Sequence, residues 1–165
     1  MEASYRPPHV EDVARLAEIY NHAVRNTAAT FDIEEKAPEY FKLFIPGDNL
    51  HRMLVAEIGS EVVAYTGTYP FSQRKAYSQL AEMMIYVHPA WQRMGVGSAL
   101  LAEVHKNGFL AGLHTVLVLI NKDNGYLHRV FECLGYLEKG ELTDVAFKFG
   151  RRHSLVIYQR HIVAL

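Results

Sequence analysis

The chain has 165 residues, half of them hydrophobic, with a formal net charge of -1 and 10 Tyr and 8 Phe among its residues. That length and composition suit one domain with a full-sized core and exclude a disordered chain. The near-zero charge removes any global electrostatic case for nucleic acid or an anionic membrane as partner.

Residues 1–8 are polar and lack an apolar stretch, so no secretory leader is expected. Ser4-Tyr5-Arg6 reads as a short first strand stopped by Pro7-Pro8. Across 9–24, Val10, Val13, Leu16, Ile19, Tyr20 and Ala23 recur at helical spacing. A polar loop, N-T-A-A-T-F, covers 26–31, and 38–44 suits a short helix opened by Pro38. Residues 53–58 and 61–69 are strand-like runs joined by a Gly59-Ser60 turn. Residues 70–76 read as a loop and 79–87 as a long strand. The next helix, over 98–104, is expected to end near Asn107-Gly108, a suitable C-cap pair. Residues 115–120 form a compact apolar strand. An amphipathic helix over 124–133 carries Cys133, expected to be buried and inert. As the single cysteine it leaves no partner for an internal disulfide and fits a reducing, cytoplasmic setting. Two last strands fall within 136–149 and 154–162. No apolar run approaches the roughly 18 residues of a membrane span. Strands interleaved with helices predict one α/β domain over 1–165, with a mixed central sheet of about six to seven strands and helices on both faces.

The run I-Y-V-H-P-A-W-Q-R-M-G-V-G-S-A-L-L at 85–101 is the most informative stretch. A strand ends at His88-Pro89, a short glycine loop follows, and a helix begins. The first amides of a helix have no intrahelical partner and lie at its positive end, so this order makes an anion site. Gly95 and Gly97 are expected to let the backbone approach a bulky phosphate, and Arg93 adds a fixed positive charge. A Walker loop is excluded because no lysine follows Gly97. A dinucleotide fold requires a third glycine where Leu100 stands. An ordinary strand–loop–helix junction remains the bland alternative.

The pattern [QR]-x-x-G-x-[GA] after V-x-P resembles the coenzyme A pyrophosphate loop of the Gcn5-related N-acetyltransferases. The order of elements matches that fold over essentially the whole chain. Several runs are similar to the phosphinothricin and methionine-sulfoximine acetyltransferase subfamily: I-Y-N at 19–21, N-T-A-A-T-F-D at 26–32, L-V-A-E at 54–57, Ala76-Tyr77 with Glu82, Asp123-Asn124, L-G-Y at 134–136 and K-F-G-R at 148–151. The resemblance implies acetyl-CoA as donor, the primary amine of a small molecule as acceptor, and a homodimer. It implies that backbone groups of Ile85, Tyr86 and Val87 pair with the pantetheine arm. Amides of Arg93, Met94, Gly95, Val96, Gly97 and Ser98 would hold the pyrophosphate, and Asn124 would bond the pantetheine. Tyr86 reads equally as a core aromatic, and Asn124 as a plain N-cap.

An alkyl amine must lose a proton before it attacks a thioester, so a base is required. Glu82 stands among Leu80, Ala81, Met83, Met84 and Ile85, where desolvation raises a carboxyl pKa. It also matches the subfamily's catalytic glutamate; alternation equally allows it to face solvent. A strand amide near Val87 is expected to hold the oxyanion. The acid that protonates the leaving thiolate in many relatives is a Tyr, or a His in some members of this subfamily, where this chain has Phe131. Leu127 replaces a further polar residue, and Tyr126 and His128 lie nearby. For the acceptor, the resemblance points to Thr30, Phe31, Arg74, Tyr77 and Lys148. Phe31 as plain core, and Arg74 and Lys148 as solvated charges, are the alternatives. The nine histidines show no H-x-H, H-E-x-x-H or Cys/His cluster, so no metal is expected. Protein or peptide N-terminal acetylation and a non-catalytic CoA sensor are the competing functions. The aromatics Phe31, Phe71 and Tyr77 favour a closed pocket over the open groove that a peptide needs.

Overall fold

The computed structural model describes residues 3–106 and 108–162. Its strands are β1 (Ser4–Arg6), β2 (Arg52–Ile58), β3 (Glu61–Pro70), β4 (Leu80–Val87), β5 (Thr115–Asn121), β6 (Leu137–Lys148) and β7 (Arg151–His161). The α-helices among the described residues are α1 (Val13–Asn26), α2 (Val96–Lys106) and α3 (Gly125–Cys133). The strands form one seven-stranded sheet in the order β1-β2-β3-β4-β5-β7-β6. Every neighbouring pair is antiparallel except β4 and β5, which run parallel. This is the mixed α/β sheet that the interleaved pattern predicts.

The two-residue period of the strands sorts the core onto two faces. On one face Val55, Val62 and Tyr65 pack with Leu16, Ala17 and Ile19 of α1 and with Phe41 and Phe44. On the other, Ala56, Val63 and Ala64 meet Val96 and Leu100 of α2. Further along that second face Met83, Val118 and Tyr158 pack with Leu101 and Val104 of α2 and Phe131 of α3. Helices therefore cover both faces. β3 is buried almost throughout, and its two buried threonines keep their hydroxyls satisfied. Thr66 donates to the Met84 carbonyl at 2.7 Å and Thr68 to the Leu50 carbonyl at 2.8 Å.

The elements differ from expectation mostly at their ends. The 9–24 helix opens with a 3-10 turn at Val10–Asp12, because the Asp12 side chain accepts the His9 amide at 2.7 Å before α1 begins. Pro38–Phe44 is a 3-10 segment rather than an α-helix. The loop expected over 70–76 gives Pro70 to β3 and contains a 3-10 turn, Lys75–Tyr77. α2 starts at Val96, two residues earlier than the periodicity suggests. Gly108, with φ +66, lies just beyond it as expected, whereas Asn107 lies outside the described residues. Cys133 corrects an expectation outright: it is an exposed free thiol at the end of α3. The α3 face that packs inward carries Phe131 instead, which is fully buried against Tyr136 with ring centroids 5.1 Å apart.

Candidate active site

β4 and β5 pair only over Leu80–Glu82 against Thr115–Leu117. Beyond that point β4 continues beside β3 and β5 beside β7, so the two strands part. Their separation opens a cleft of about 620 Å³. Ile85, Tyr86 and Val87 line one wall, Asn121 and Asn124 the other, and Arg93, Gly95, Gly97 and Ser98 its mouth. Strand alternation decides which backbone groups face the gap. The His88 amide bonds the Val63 carbonyl of β3 at 2.8 Å and the Met84 carbonyl accepts from Thr66, so the amide and carbonyl of Tyr86 also point toward β3. Those of Ile85 and Val87 point into the gap. The Val87 carbonyl there accepts the Gln92 side-chain amide at 3.1 Å.

At the mouth, the first α2 ladder bond runs from the Ala99 amide to the Gly95 carbonyl at 3.0 Å, leaving the Val96, Gly97 and Ser98 amides ahead of the ladder. Arg93 has φ +61 and Gly95 φ +81. A left-handed backbone costs an L-residue roughly 1 kcal/mol or more, and two such residues turn the chain tightly enough to present successive amides outward. The two glycines do different jobs. A Cβ on Gly95 meets open space, whereas one on Gly97 lies 3.1 Å from Val87 Cγ2 and 3.5 Å from Ile85 Cδ1. Gly97 therefore lets α2 sit close against β4, and Gly95 supplies the turn. These features fit an extended thiol cofactor carrying a pyrophosphate. Met94 is exposed beside them and does not line the cleft. Asn124 lines it while also capping α3, its Oδ1 accepting the Leu127 amide at 3.3 Å. Tyr126 lines it too, its hydroxyl 2.7 Å from Ser98 Oγ.

A second cavity, of about 410 Å³, lies on the α1 face of the sheet. Glu82, Met84 and Tyr86 share that face by alternation and line the cavity together with Tyr20, Phe31 and Tyr69. Ala29 and Tyr86 line both spaces, so the two adjoin there. Burial pushes the Glu82 carboxyl above its ordinary range, and a hydrogen bond from the Tyr69 hydroxyl to its Oε1 opposes that push. Across the cavity Tyr20 donates to Asp32 at 2.7 Å, and its hydroxyl also lies 3.1 Å from Thr30 Oγ1. Lys36 sits 3.0 Å from the same Asp32. Burial raises the Asp32 pKa, but these hydrogen bonds outweigh it and hold the group below its usual range.

Thr30 and Phe31 thus reach the cavity, and Phe31 also packs 5.7 Å from the His153 ring. Lys148 is neither a lining residue nor the solvated charge weighed as its alternative. It is 4% exposed, and its Nζ donates to the Thr30 carbonyl at 2.8 Å, which braces the loop that carries Thr30. Burial lowers its pKa. Arg74 and Tyr77 line neither space; Tyr77 packs edge-on against Phe71 with centroids 5.7 Å apart. Phe71 and Tyr77, expected to help close the pocket, are both exposed. Of the residues near the missing acid, His128 is engaged by Tyr158 at 3.0 Å and by the Asn121 and Lys122 carbonyls, turned away from the cleft. Tyr69, Asp32, Lys36 and Tyr40 are cavity residues that sequence reading missed. For Tyr69 the sequence held no sufficient signal: aligning the 61–69 and 79–87 runs about their loop sets it opposite Gln79, and the observed register, three residues further along β4, sets it opposite Glu82.

Residues 16–136 match the family model described as acetyltransferase (GNAT) family. The chain is 31% identical over 164 residues to a phosphinothricin N-acetyltransferase of Streptomyces coelicolor, covering 96% of each chain. It is 30% identical over 153 residues to the L-methionine sulfoximine/L-methionine sulfone acetyltransferase of Salmonella typhimurium, covering 90% of this chain and 88% of the relative. Among solved structures, a GNAT superfamily phosphinothricin acetyltransferase from Sinorhizobium meliloti in complex with acetyl-CoA superposes with a TM-score of 0.89 at 26% identity, covering 98% of this chain and 89% of that one.

Proposed function

The chain belongs to the acetyltransferase (GNAT) family and is an acetyl-CoA-dependent N-acetyltransferase, and we propose that its acceptor is the primary amine of a small amino-acid analogue of the methionine sulfoximine, methionine sulfone or phosphinothricin kind. One observation carries this reading: a small cavity holding a half-buried carboxylate, Glu82, adjoins the cleft between β4 and β5 at Tyr86 and Ala29. The relatives' own substrates supply the class of acceptor.

The residues divide the work by position. Val96, Gly97 and Ser98 amides, with Arg93, receive the pyrophosphate at the positive end of α2. The backbone groups of Ile85 that face the gap pair with the pantetheine as an added strand, and the Val87 amide beside them faces the thioester. Asn124 and Tyr126 close the opposite wall. In the adjoining cavity Glu82 takes the ammonium proton and passes it to solvent, the amine attacks the thioester carbonyl, the Val87 amide faces the developing oxyanion, and the attacking nitrogen gives its second proton to the restored carboxylate as the C–S bond breaks. A thiol titrates at about 8.5, so the departing sulfur leaves as a thiolate and takes its proton from water. Phe131, buried in the core, takes no part. Free-thiol release from acetyl-CoA over a panel of amines tests the reading. Amino-acid analogues are expected to turn over fastest. Faster turnover of a peptide N-terminus, or none with any amine, overturns it.

The same reading includes a homodimer. β6 is an edge strand, Phe147 and Phe149 at its end are exposed by 65% and 58%, and Phe71 on the loop between β3 and β4 is exposed by 44%. Exposed aromatic side chains are enriched at association surfaces. Arg74 and Tyr77 lie on the Phe71 loop. Light scattering at micromolar concentration is expected to report about twice the 18.8 kDa of one chain. A strict monomer with full activity removes this claim.

A further inference from the structure

We propose that Tyr69 is a positioning residue that keeps Glu82 ionised and aimed at neutral pH; the proposal rests on Glu82 being the base. Register sets the two side chains opposite each other on β3 and β4, both on the α1 face. The Tyr69 hydroxyl donates to Glu82 Oε1, and Oε2 has no protein partner among the described residues. One oxygen is thus fixed and the other is left to take a proton.

The chemistry explains why a phenol suits this place. Burying a carboxylate with no partner favours its protonated form, which cannot act as a base. One paired with an ammonium is a carboxylate too weakly basic to take a proton from an amine. A neutral hydroxyl donor lies between these limits. The other ionisable groups around the cavity leave Glu82 to Tyr69. Lys36, from the loop after α1, is 3.0 Å from Asp32, which Tyr20 of α1 also bonds. Tyr40 lies on the 38–44 segment, with the Lys36 ammonium 5.6 Å from its ring centroid. Tyr86 of β4 stacks edge-on against Tyr20 with centroids 4.9 Å apart. β5 presents Leu117 and Leu119, which carry no charge.

The test is the pH dependence of kcat/KM for Tyr69→Phe, divided by that of wild type so that the acceptor's own titration cancels. A hydrogen bond to a charged group is worth roughly ten- to a hundred-fold, so the ratio is expected to fall by about that factor at pH 6 and to recover to within about three-fold at pH 9. The sign follows from losing a bond that favours the ionised form: Glu82 then keeps its proton to higher pH. Acetyl-CoA KM stays unchanged, and adding Tyr69→Phe to Glu82→Gln costs no more than about two-fold further. Incorporating 3-fluorotyrosine at 69, nearly isosteric and a stronger donor, moves the acid limb the opposite way even if the phenylalanine variant folds poorly. A ratio that does not change with pH, or a limb unmoved by fluorination, overturns the proposal. Full activity of Glu82→Gln instead overturns the base assignment beneath it.

Discussion

Replacing Glu82 with glutamine lowers kcat at neutral pH by about 10²–10⁴, the usual worth of a general base. The amide has the same size and still accepts the Tyr69 hydrogen bond, so the cavity keeps its shape. Acetyl-CoA affinity barely changes, because the α2 end of the cleft lies beyond Glu82. The deficit shrinks as pH rises, since the free amine becomes abundant without help. The wild-type kcat profile rises with pH and shows no falling limb from position 131, where a phenyl ring has no proton to give. Stability separates lost chemistry from lost folding. Burial raises the folded-state pKa of Glu82, so its ionised form opposes folding as pH climbs above the ordinary carboxylate range. Glutamine removes that opposition, and the melting temperature of the variant matches or exceeds that of wild type above that range. A variant within a few-fold of wild type across pH 6 to 9 shows that Glu82 is not the base.

Gly97→Val abolishes the thermal stabilisation that acetyl-CoA confers. Donor at about a hundred times its dissociation constant contributes roughly 2.7 kcal/mol, which raises the wild-type melting temperature by about 5–10 °C. A Cβ at 97 already lies 3.1 Å from Val87 Cγ2, so a valine there forces the start of α2 away from β4. That displacement moves the Val96 and Ser98 amides that receive the pyrophosphate. Over-packing costs about 1–3 kcal/mol, which lowers the unliganded melting temperature but leaves the fold. Gly97→Ala, whose single methyl asks Val87 to give by only a few tenths of an ångström, retains part of the shift. Differential scanning fluorimetry with and without acetyl-CoA measures both quantities. A wild-type shift in the valine variant removes the α2 start as the donor's phosphate site.

Local pattern carried a great deal here. The glycine turn and the helix start at the mouth of the cleft were legible because they are short-range properties: Gly95 and Gly97 next to an apolar helical run can be read from consecutive letters. Glu82 was legible as a carboxylate in an apolar strand. Side chains that act through long-range contact were not. Lys148 reads as one charge in a basic run, yet it spans 118 residues to brace the Thr30 carbonyl and is buried in doing so. Asp32 and Lys36 read as a polar loop until Tyr20 joins them across the cavity. Cys133 misled because α3 is short: its apolar stripe is narrow, and position 131 rather than 133 faces the core.

By itself the sequence determined the α/β sheet, the strand–loop–helix junction at 85–101 and the apolar setting of the carboxylate, because each is encoded in periodicity or in residues adjacent along the chain. The tertiary structure alone decided that β4 and β5 part after three residue pairs, that Tyr69 meets Glu82, and that the Glu82 cavity adjoins the cleft at Tyr86. Those outcomes depend on strand register and on which faces of distant elements pack together, and a shift of one residue in register turns every side chain of a strand to the opposite face.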